Sequence, residues 1–220
     1  MSHSIFLSHF LSESTPGYGG SHAMKIRHLS QIKDGASSNS QEWTLNNHIG
    51  THIDLPAHFD NNGDRLESFI CDDWIFNKPF LLNRSSTPGE ILDVDEQCEK
   101  IPLDTDFLII KTGFQNFRGK ELYWQNNPGL SPTLAVWLRE KRPNIKCLGF
   151  DFISITSYAN RPLGRTAHKA FLGLDGKTTP LRVIEDMKLD ELAAHPAKII
   201  VSPLLVLNAD GAPVTVVAIF

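Results

Sequence analysis

The chain has 220 residues, of which 41% are hydrophobic and 21% are charged, and its formal net charge is −4. These values are typical of a globular protein with one good-sized core, and we predict a single domain over residues 1–220. Acids and bases are interspersed, which leaves no basic surface for nucleic acid, and no apolar run approaches the roughly 18 residues of a membrane-spanning segment.

Two features of the sequence bear on its compartment. The first residues have no basic segment before a short apolar stretch, which His9 interrupts, so they do not resemble a secretory signal. The three cysteines, Cys71, Cys98 and Cys147, are odd in number and widely spaced, as is typical of reduced and packed thiols. We therefore expect a cytoplasmic protein.

The first part of the chain reads as strands joined by turns. Partial alternation of apolar residues predicts a strand at 3–12, followed by a glycine-rich turn at 14–20. A second strand is predicted at 22–32, and a polar loop at 34–40 leads toward a segment rich in histidine.

Later in the chain, short apolar runs predict buried strands. They lie at 80–82, 107–110, 147–150, 199–201 and 214–219. A helix should begin after Ser131 as its N-cap, with Pro132 as its first residue, and short helices are predicted at 190–194 and 95–98. Because strands outnumber helices, the predicted class is α/β with one β-rich core.

The segment from residue 48 to residue 58 holds three histidines and one aspartate at even positions. An extended strand alternates its side chains, so it would place these four polar residues on one face. They are His48, His52, Asp54 and His58. The opposite face would be apolar core, formed by Ile49, Ile53, Leu55 and Phe59. Imidazoles with a carboxylate make a poor solvent face and a good set of metal ligands.

The length of this segment requires a bend. An unbroken strand would separate His48 from His58 by roughly 33 Å, which no single metal centre spans. Gly50 and Pro56 are the residues at which the chain bends at low cost. A helix pairing His48 with His52 is the alternative, but Gly50 and Pro56 interrupt it and no Glu follows His48.

Two arrangements of these ligands are open. The four residues could fill one metal site, which would leave no open position for catalysis. With further ligands they could instead support two metals, since the carboxylate of Asp54 can bridge two cations. The best distant candidates are His168 and Glu185, although a lone histidine is more commonly a satisfied polar residue than a ligand, and a glutamate after an apolar pair is more commonly a solvated strand end. Such ligands, without a thiolate, suit Zn²⁺ or Mn²⁺.

Other catalytic plans find no support in the sequence. It contains no nucleophile elbow, no phosphate-binding loop and no dinucleotide-binding glycine motif, and no cysteine lies in a nucleophile signature.

The histidine segment resembles the signature of a known enzyme family. From His48 to Phe59 it matches the pattern H-x-G-T-H-x-D-x-P-x-H-F throughout. This is the signature of the cyclase family, which includes bacterial kynurenine formamidases (arylformamidases) and isatin hydrolases. Looser similarity covers nearly all of the chain, in segments 108–113, 128–130, 149–154, 168–172 and 208–213.

The resemblance implies a swivelling β/β/α fold and a division of labour among the candidate residues. One zinc would be bound by residues at the positions of His48, His52 and Asp54. A second would be bound at the positions of Asp54, His168 and Glu185, with the glutamate also touching the first. His58 would not be a ligand but the proton shuttle.

Two features depart from the family pattern. Extra residues lie around 175–180, between His168 and Glu185. The substrate pocket of the formamidases has a tryptophan at the position that we assign to Tyr18, which would bind a planar substrate here.

The activity that the resemblance implies is hydrolysis of a C–N amide bond by a metal-activated water, in an arylformamide or a cyclic amide related to isatin. The expected partners are a small-molecule substrate and further copies of the chain, in a homodimer or homotetramer. Two alternatives remain: a lactone hydrolase, cyclase or lyase acting on a cyclic ester or hydroxy acid, and a metal-stabilised binding protein without catalysis.

Overall fold

The computed structural model describes residues 3–21, 24–173 and 179–220. The strands of this part of the chain are β1 (Ser4–Phe6), β2 (Met24–Ser30), β3 (Ser40–Leu45), β4 (His52–Asp54), β5 (Ile75–Phe76), β6 (Pro79–Asn83), β7 (Ile91–Leu92), β8 (Phe107–Lys111), β9 (Gly129–Leu130), β10 (Cys147–Phe150), β11 (Arg182–Glu185), β12 (Lys198–Pro203) and β13 (Gly211–Ile219).

The helices of the described residues are fewer and shorter. The α-helices are α1 (Leu122–Gln125), α2 (Pro132–Lys141) and α3 (Arg161–Phe171). Single turns of 3-10 helix occur at Tyr18–Gly20, Ile32–Asp34, Pro56–His58, Leu66–Ser68, Cys71–Trp74, Cys98–Lys100, Phe114–Phe117 and Tyr158–Asn160. None of these described helices combines the length and the apolar character that a membrane crossing requires.

A nine-stranded sheet organises the molecule. Its order is β5-β12-β13-β4-β11-β10-β8-β6, with β1 paired to β13. The pairs among β6, β8, β10 and β11 are parallel, whereas β4 is antiparallel to both β11 and β13. Strand β4 therefore joins a parallel half of the sheet to an antiparallel half. The predicted α/β class with a β-rich core is confirmed.

Apolar side chains cover both faces of this sheet. On one face α2 and α3 pack over the parallel strands, with Leu138 and Phe171 among the fully buried residues. Adjacent residues of β11 show the alternation, because Val183 belongs to this cluster and Ile184 to the cluster on the other face. Ile53 in β4 also points to that second cluster, which leaves its neighbours on the helical side of the sheet.

Helix α2 follows the sequence prediction residue by residue. The Ser131 hydroxyl accepts a hydrogen bond from the Leu134 N–H at 3.0 Å, and Pro132 occupies the first turn. This N-cap satisfies one of the N–H groups that the first turn leaves without a partner. The five predicted buried strands are confirmed as β6, β8, β10, β12 and β13.

Several predicted elements are wrong or incomplete. The strand predicted at 3–12 ends at Phe6, since the chain then bonds elsewhere through an isolated bridge from Ser8 to Met187. No helix forms at 190–194, where a turn buries Leu192 in the core instead. The helix predicted at 95–98 is replaced by the 3-10 turn at Cys98–Lys100.

Strand β2 lies within the prediction at 22–32, whose residues 22 and 23 fall outside the described residues. The extra residues around 175–180 fall mostly in 174–178, which are likewise outside them. Helix α3 was not predicted, although Asn160 as N-cap and Pro162 in the first turn are helix start signals. The assignment of 1–220 to one domain stays a prediction.

Candidate metal centre

Strand β4 places His52 and Asp54 on the helical side of the sheet. The two strands that flank β4 determine which residues lie beside these two side chains. Glu185 of β11 is paired with His52, and Gly211 of β13 is paired with Asp54. Because β4 lies between two antiparallel partners, its register cannot slip without moving Ile53 out of the core.

The predicted bend occurs at both expected positions. Gly50 has φ of +62°, a conformation that favours glycine, and an added Cβ would lie 2.4 Å from Leu11 Cδ2. Pro56 starts the 3-10 turn that ends at His58. As a result, the rings of His48 and His58 lie 3.9 Å apart between centroids.

The carboxylate of Asp54 lies at the centre of the imidazole cluster. Its Oδ1 lies 2.7 Å from His48 Nδ1 and 3.4 Å from His52 Nε2. Its Oδ2 lies 3.6 Å from His168 Nε2. The side chain is buried, so both oxygens face imidazole nitrogens instead of solvent.

Glu185 forms a second carboxylate between two histidines. Its Oε2 lies 3.5 Å from His52 Nε2, and its Oε1 lies 3.5 Å from His168 Nε2. Oε1 also accepts hydrogen bonds from the Ile155 N–H at 2.8 Å and the Ser154 hydroxyl at 3.2 Å. Glu185 is only 3% exposed, so it is not the solvated strand end that the sequence left open.

Backbone carbonyls select the tautomers of two histidines. His52 Nδ1 donates to the Gly50 carbonyl at 2.8 Å. His168 Nδ1 lies 3.0 Å from the Gly164 carbonyl and 3.0 Å from Thr156 Oγ1. A carbonyl can only accept, so the neutral rings carry hydrogen on Nδ1 and turn a lone pair on Nε2 toward the carboxylates.

The charges of the cluster explain its pKa shifts. Burial opposes protonation of His52 and His168, yet hydrogen bonds and attraction to Asp54 and Glu185 raise the pKa of His52 to about 9 and that of His168 to about 10. Burial would raise the pKa of Asp54, but hydrogen bonds from His168, His48 and His52 hold that pKa well below its usual range. The two buried carboxylates therefore require positive charge, from protons or from a cation.

These residues fit a divalent cation. Ligand atoms of His52, Asp54 and Glu185 all lie within 4.8 Å of one another, and so do those of His48, Asp54 and His58. Asp54 belongs to both groups. Imidazole nitrogens and carboxylate oxygens without thiolate are the donors that Zn²⁺ and Mn²⁺ accept.

Asp210 is a site residue that the sequence analysis missed. Its Oδ2 accepts a hydrogen bond from His58 Nδ1 at 3.0 Å and lies 3.1 Å from His48 Nε2. The next residue, Gly211, passes so close that an added Cβ would lie 2.5 Å from His48 Cε1. The only sequence signal was the Asp-Gly pair in segment 208–213, which by itself indicates a turn.

A cavity of about 290 Å³ opens beside the cluster. Tyr18 lines it, as predicted from the resemblance, and contacts Tyr158 edge-on at 5.4 Å between centroids. Phe59 also lines it and stacks on His168 at 4.8 Å. Contrary to the prediction, Phe59 does not share the face of Ile53 and Leu55. After the turn that begins at Pro56 it is half-buried, packs against the core cluster on the helical side and lines the cavity.

A buried hydrogen-bond network connects the start of β4 to the end of β11. The Thr51 hydroxyl donates to the Asp186 carbonyl at 2.6 Å and accepts from the His9 N–H at 2.9 Å. Asp186 has φ of +52°, and its carboxylate binds the Arg118 guanidinium and the Tyr123 hydroxyl. This network ties the chain before His52 to the chain after Glu185.

Comparisons with known proteins show the family to which the chain belongs. Residues 5–157 match the family model described as "Putative cyclase". The chain is 28% identical over 211 residues to a kynurenine formamidase of Geobacillus thermodenitrificans, covering 96% of this chain and 94% of that protein.

Solved structures show the same fold. Isatin hydrolase A from Ralstonia solanacearum superposes with a TM-score of 0.78 at 18% identity, over 99% of this chain and 92% of that one. A Bacillus stearothermophilus protein described as a "predicted metal-dependent hydrolase" gives 0.74 at 19% identity, over 100% and 98% of the two chains.

Proposed function

We propose that this chain, which belongs to the Putative cyclase family, is a metal-dependent hydrolase that cleaves a C–N amide bond in an arylformamide or a cyclic amide. One observation carries the proposal: two buried carboxylates, Asp54 and Glu185, each face imidazoles beside a cavity that also holds the half-buried His58. The names of the formamidase relative and the isatin hydrolase neighbour support the choice of an amide.

The metal ligands fall into two overlapping sets. His48, His52 and Asp54 would hold one divalent cation, and Asp54, His168 and Glu185 would hold another. This division is supported by the two oxygens of Asp54, which face different histidines, and by the two oxygens of Glu185, which do the same. Bound cations would polarise a carbonyl and lower the pKa of water toward neutrality.

His58 is placed to move protons at the edge of the cluster. Its Nδ1–H donates to Asp210, which leaves a lone pair on Nε2. That nitrogen can take a proton from the attacking water and return it to the leaving nitrogen, which is the general acid–base role that histidine most often fills. Asp210 thus orients the base.

The test is metal content together with turnover of a substrate panel by the purified protein. N-formyl anilines, lactams related to isatin, and lactones should be offered to protein loaded with Zn²⁺ or Mn²⁺ and to protein treated with a chelator. We expect metal-dependent cleavage of an amide. Turnover of lactones alone would favour the ester alternative, and tight metal with no turnover of any compound would favour a binding protein.

We also propose that the protein works as a homo-oligomer in the cytoplasm. The hairpin of β2 and β3 forms its own two-stranded sheet, and large apolar side chains such as Leu29, Ile32 and Trp43 are exposed on it or beside it. Such exposed apolar surface is typical of interfaces, and light scattering would give the number of copies. The three unpaired cysteines support a reducing compartment.

A further inference from the structure

Two arginines line the candidate cavity from the helix that also carries His168. Arg161 and Arg165 precede His168 by seven and three residues, so all three share one face of α3. At a rise of about 1.5 Å per residue, their Cα atoms lie roughly 10 Å and 5 Å from that of His168 along the helix axis. The cavity is therefore lined both by the carboxylates and imidazoles of the cluster and by two arginines.

These two cations have no partner of opposite charge in the part of the chain that the structure describes. Arg161 lies over the Tyr158 ring at 5.6 Å, and neither arginine forms an ion pair or hydrogen bond there. By contrast, Arg118 pairs with Asp186 and Arg84 with Asp95. The chain as a whole is acidic, with a net charge of −4, which makes a free cationic pair at the cavity a local feature.

The stability of α3 does not explain these arginines. Arg161 is the first residue of the helix, and Arg165 follows one turn later. Cations near a helix N-terminus are disfavoured by the helix dipole. Both side chains are exposed, so neither contributes a packed stem to the core.

We propose that Arg161 and Arg165 form a subsite for a carboxylate on the substrate. Guanidinium groups bind carboxylates through paired, charge-assisted hydrogen bonds, and each arginine offers such a fork. The inference rests on the proposed hydrolase function and deepens it: the substrate class is an amide that also carries an anionic group, which these two guanidinium groups would bind in the same cavity.

The kinetic test uses matched substrates and matched variants. Formanilide is compared with derivatives that carry a carboxylate on the ring directly or on a short alkyl arm, in wild type, Arg161→Gln, Arg165→Gln and the double variant. Lys169→Gln is the control, because Lys169 is exposed on the same helix and does not line the cavity.

We expect each arginine variant to lose about tenfold in kcat/KM for a carboxylate substrate, with the neutral substrate and the control unchanged. The preference should also weaken with salt. Hydrolysis of formanilide without any preference for the carboxylate, or equal losses on both substrates in the variants, would overturn the subsite and leave the hydrolase intact.

A binding measurement keeps the subsite testable if no amide is cleaved. Calorimetry should show phenylbutyrate binding to the metal-loaded wild type at least about tenfold more tightly than to the double arginine variant. A carboxylate held only by the metal would bind both proteins equally, and that result would refute the subsite. Loss of binding in the variant together with no turnover would instead count against the hydrolase and retain the subsite.

Discussion

Replacing Gly164 by alanine tests whether the packing of α3 positions His168, the ligand that we propose for the second cation. An added Cβ would lie 2.4 Å from Thr156 Cγ2 and 2.5 Å from Thr156 Cβ, where ordinary contacts begin at 3.4 Å. The helix and Thr156 must therefore separate by about 1 Å, a displacement that propagates to His168 because Thr156 Oγ1 lies 3.0 Å from its Nδ1.

Two effects of this substitution oppose each other in stability. Alanine in place of glycine within a helix stabilises it by about 1 kcal/mol, whereas overpacking a filled site costs about 1–3 kcal/mol. The net change in unfolding free energy should therefore be small, between zero and about 2 kcal/mol of destabilisation. Function should suffer far more, because a 1 Å misplacement of a site residue can cost about 100-fold in rate.

The assay combines urea unfolding, metal content and amide turnover of the Gly164→Ala protein. We expect a folded protein with weakened metal binding and about 100-fold lower kcat/KM. A Thr156→Ser change should not rescue it, since the serine Cβ would remain at the site of the clash. Wild-type metal content and activity in Gly164→Ala would refute the idea that this contact positions His168.

Three further outcomes are expected. Without metal, the free energy of unfolding should fall as pH rises from about 6.5 through the folded-state pKa values, about 9 for His52 and about 10 for His168. The raised pKa values stabilise the folded state only while these histidines are protonated. Thermal melts in the presence of a chelator measure this loss of stability. Asp210→Ala should lower kcat about 10- to 100-fold, seen in steady-state kinetics, by releasing His58. Ser131→Ala should cost about 1 kcal/mol of unfolding free energy in urea titrations and leave activity unchanged.

Each of these outcomes has a result that would contradict it. A metal-free protein whose melting temperature rises between neutral and alkaline pH would mean that the buried histidines are not protonated partners of Asp54. An Asp210→Ala protein with wild-type kcat would remove Asp210 from the orientation of His58. A Ser131→Ala protein of unchanged stability would show that the N-cap bond is replaced by water.

The sequence was most informative where local rules operate. Strand alternation predicted His52 and Asp54 on one face and Ile53 on the other, and β4 has this arrangement. The distance argument required a bend, and the positive φ of Gly50 and the turn at Pro56 provide it. Both features depend only on the geometry of residues that are neighbours in the sequence.

Long-range pairing could not be derived in that way. Asp210 reaches His58 only because β13 pairs with β4, and no local pattern encodes which strands become neighbours. The site of Glu185 depends likewise on the register of β11 against β4. The prediction for Phe59 failed for a local reason. Strand alternation was applied beyond Pro56, where the strand had already ended.

The most direct test of the account separates metal ligand from proton shuttle within the histidine segment. Metal content and amide turnover should be measured for Asp54→Ala, His52→Ala and His58→Ala, with melting curves to verify folding. The account predicts that the first two lose metal and activity together, whereas His58→Ala keeps its metal and loses turnover. Loss of metal from His58→Ala would make His58 a ligand and contradict the account.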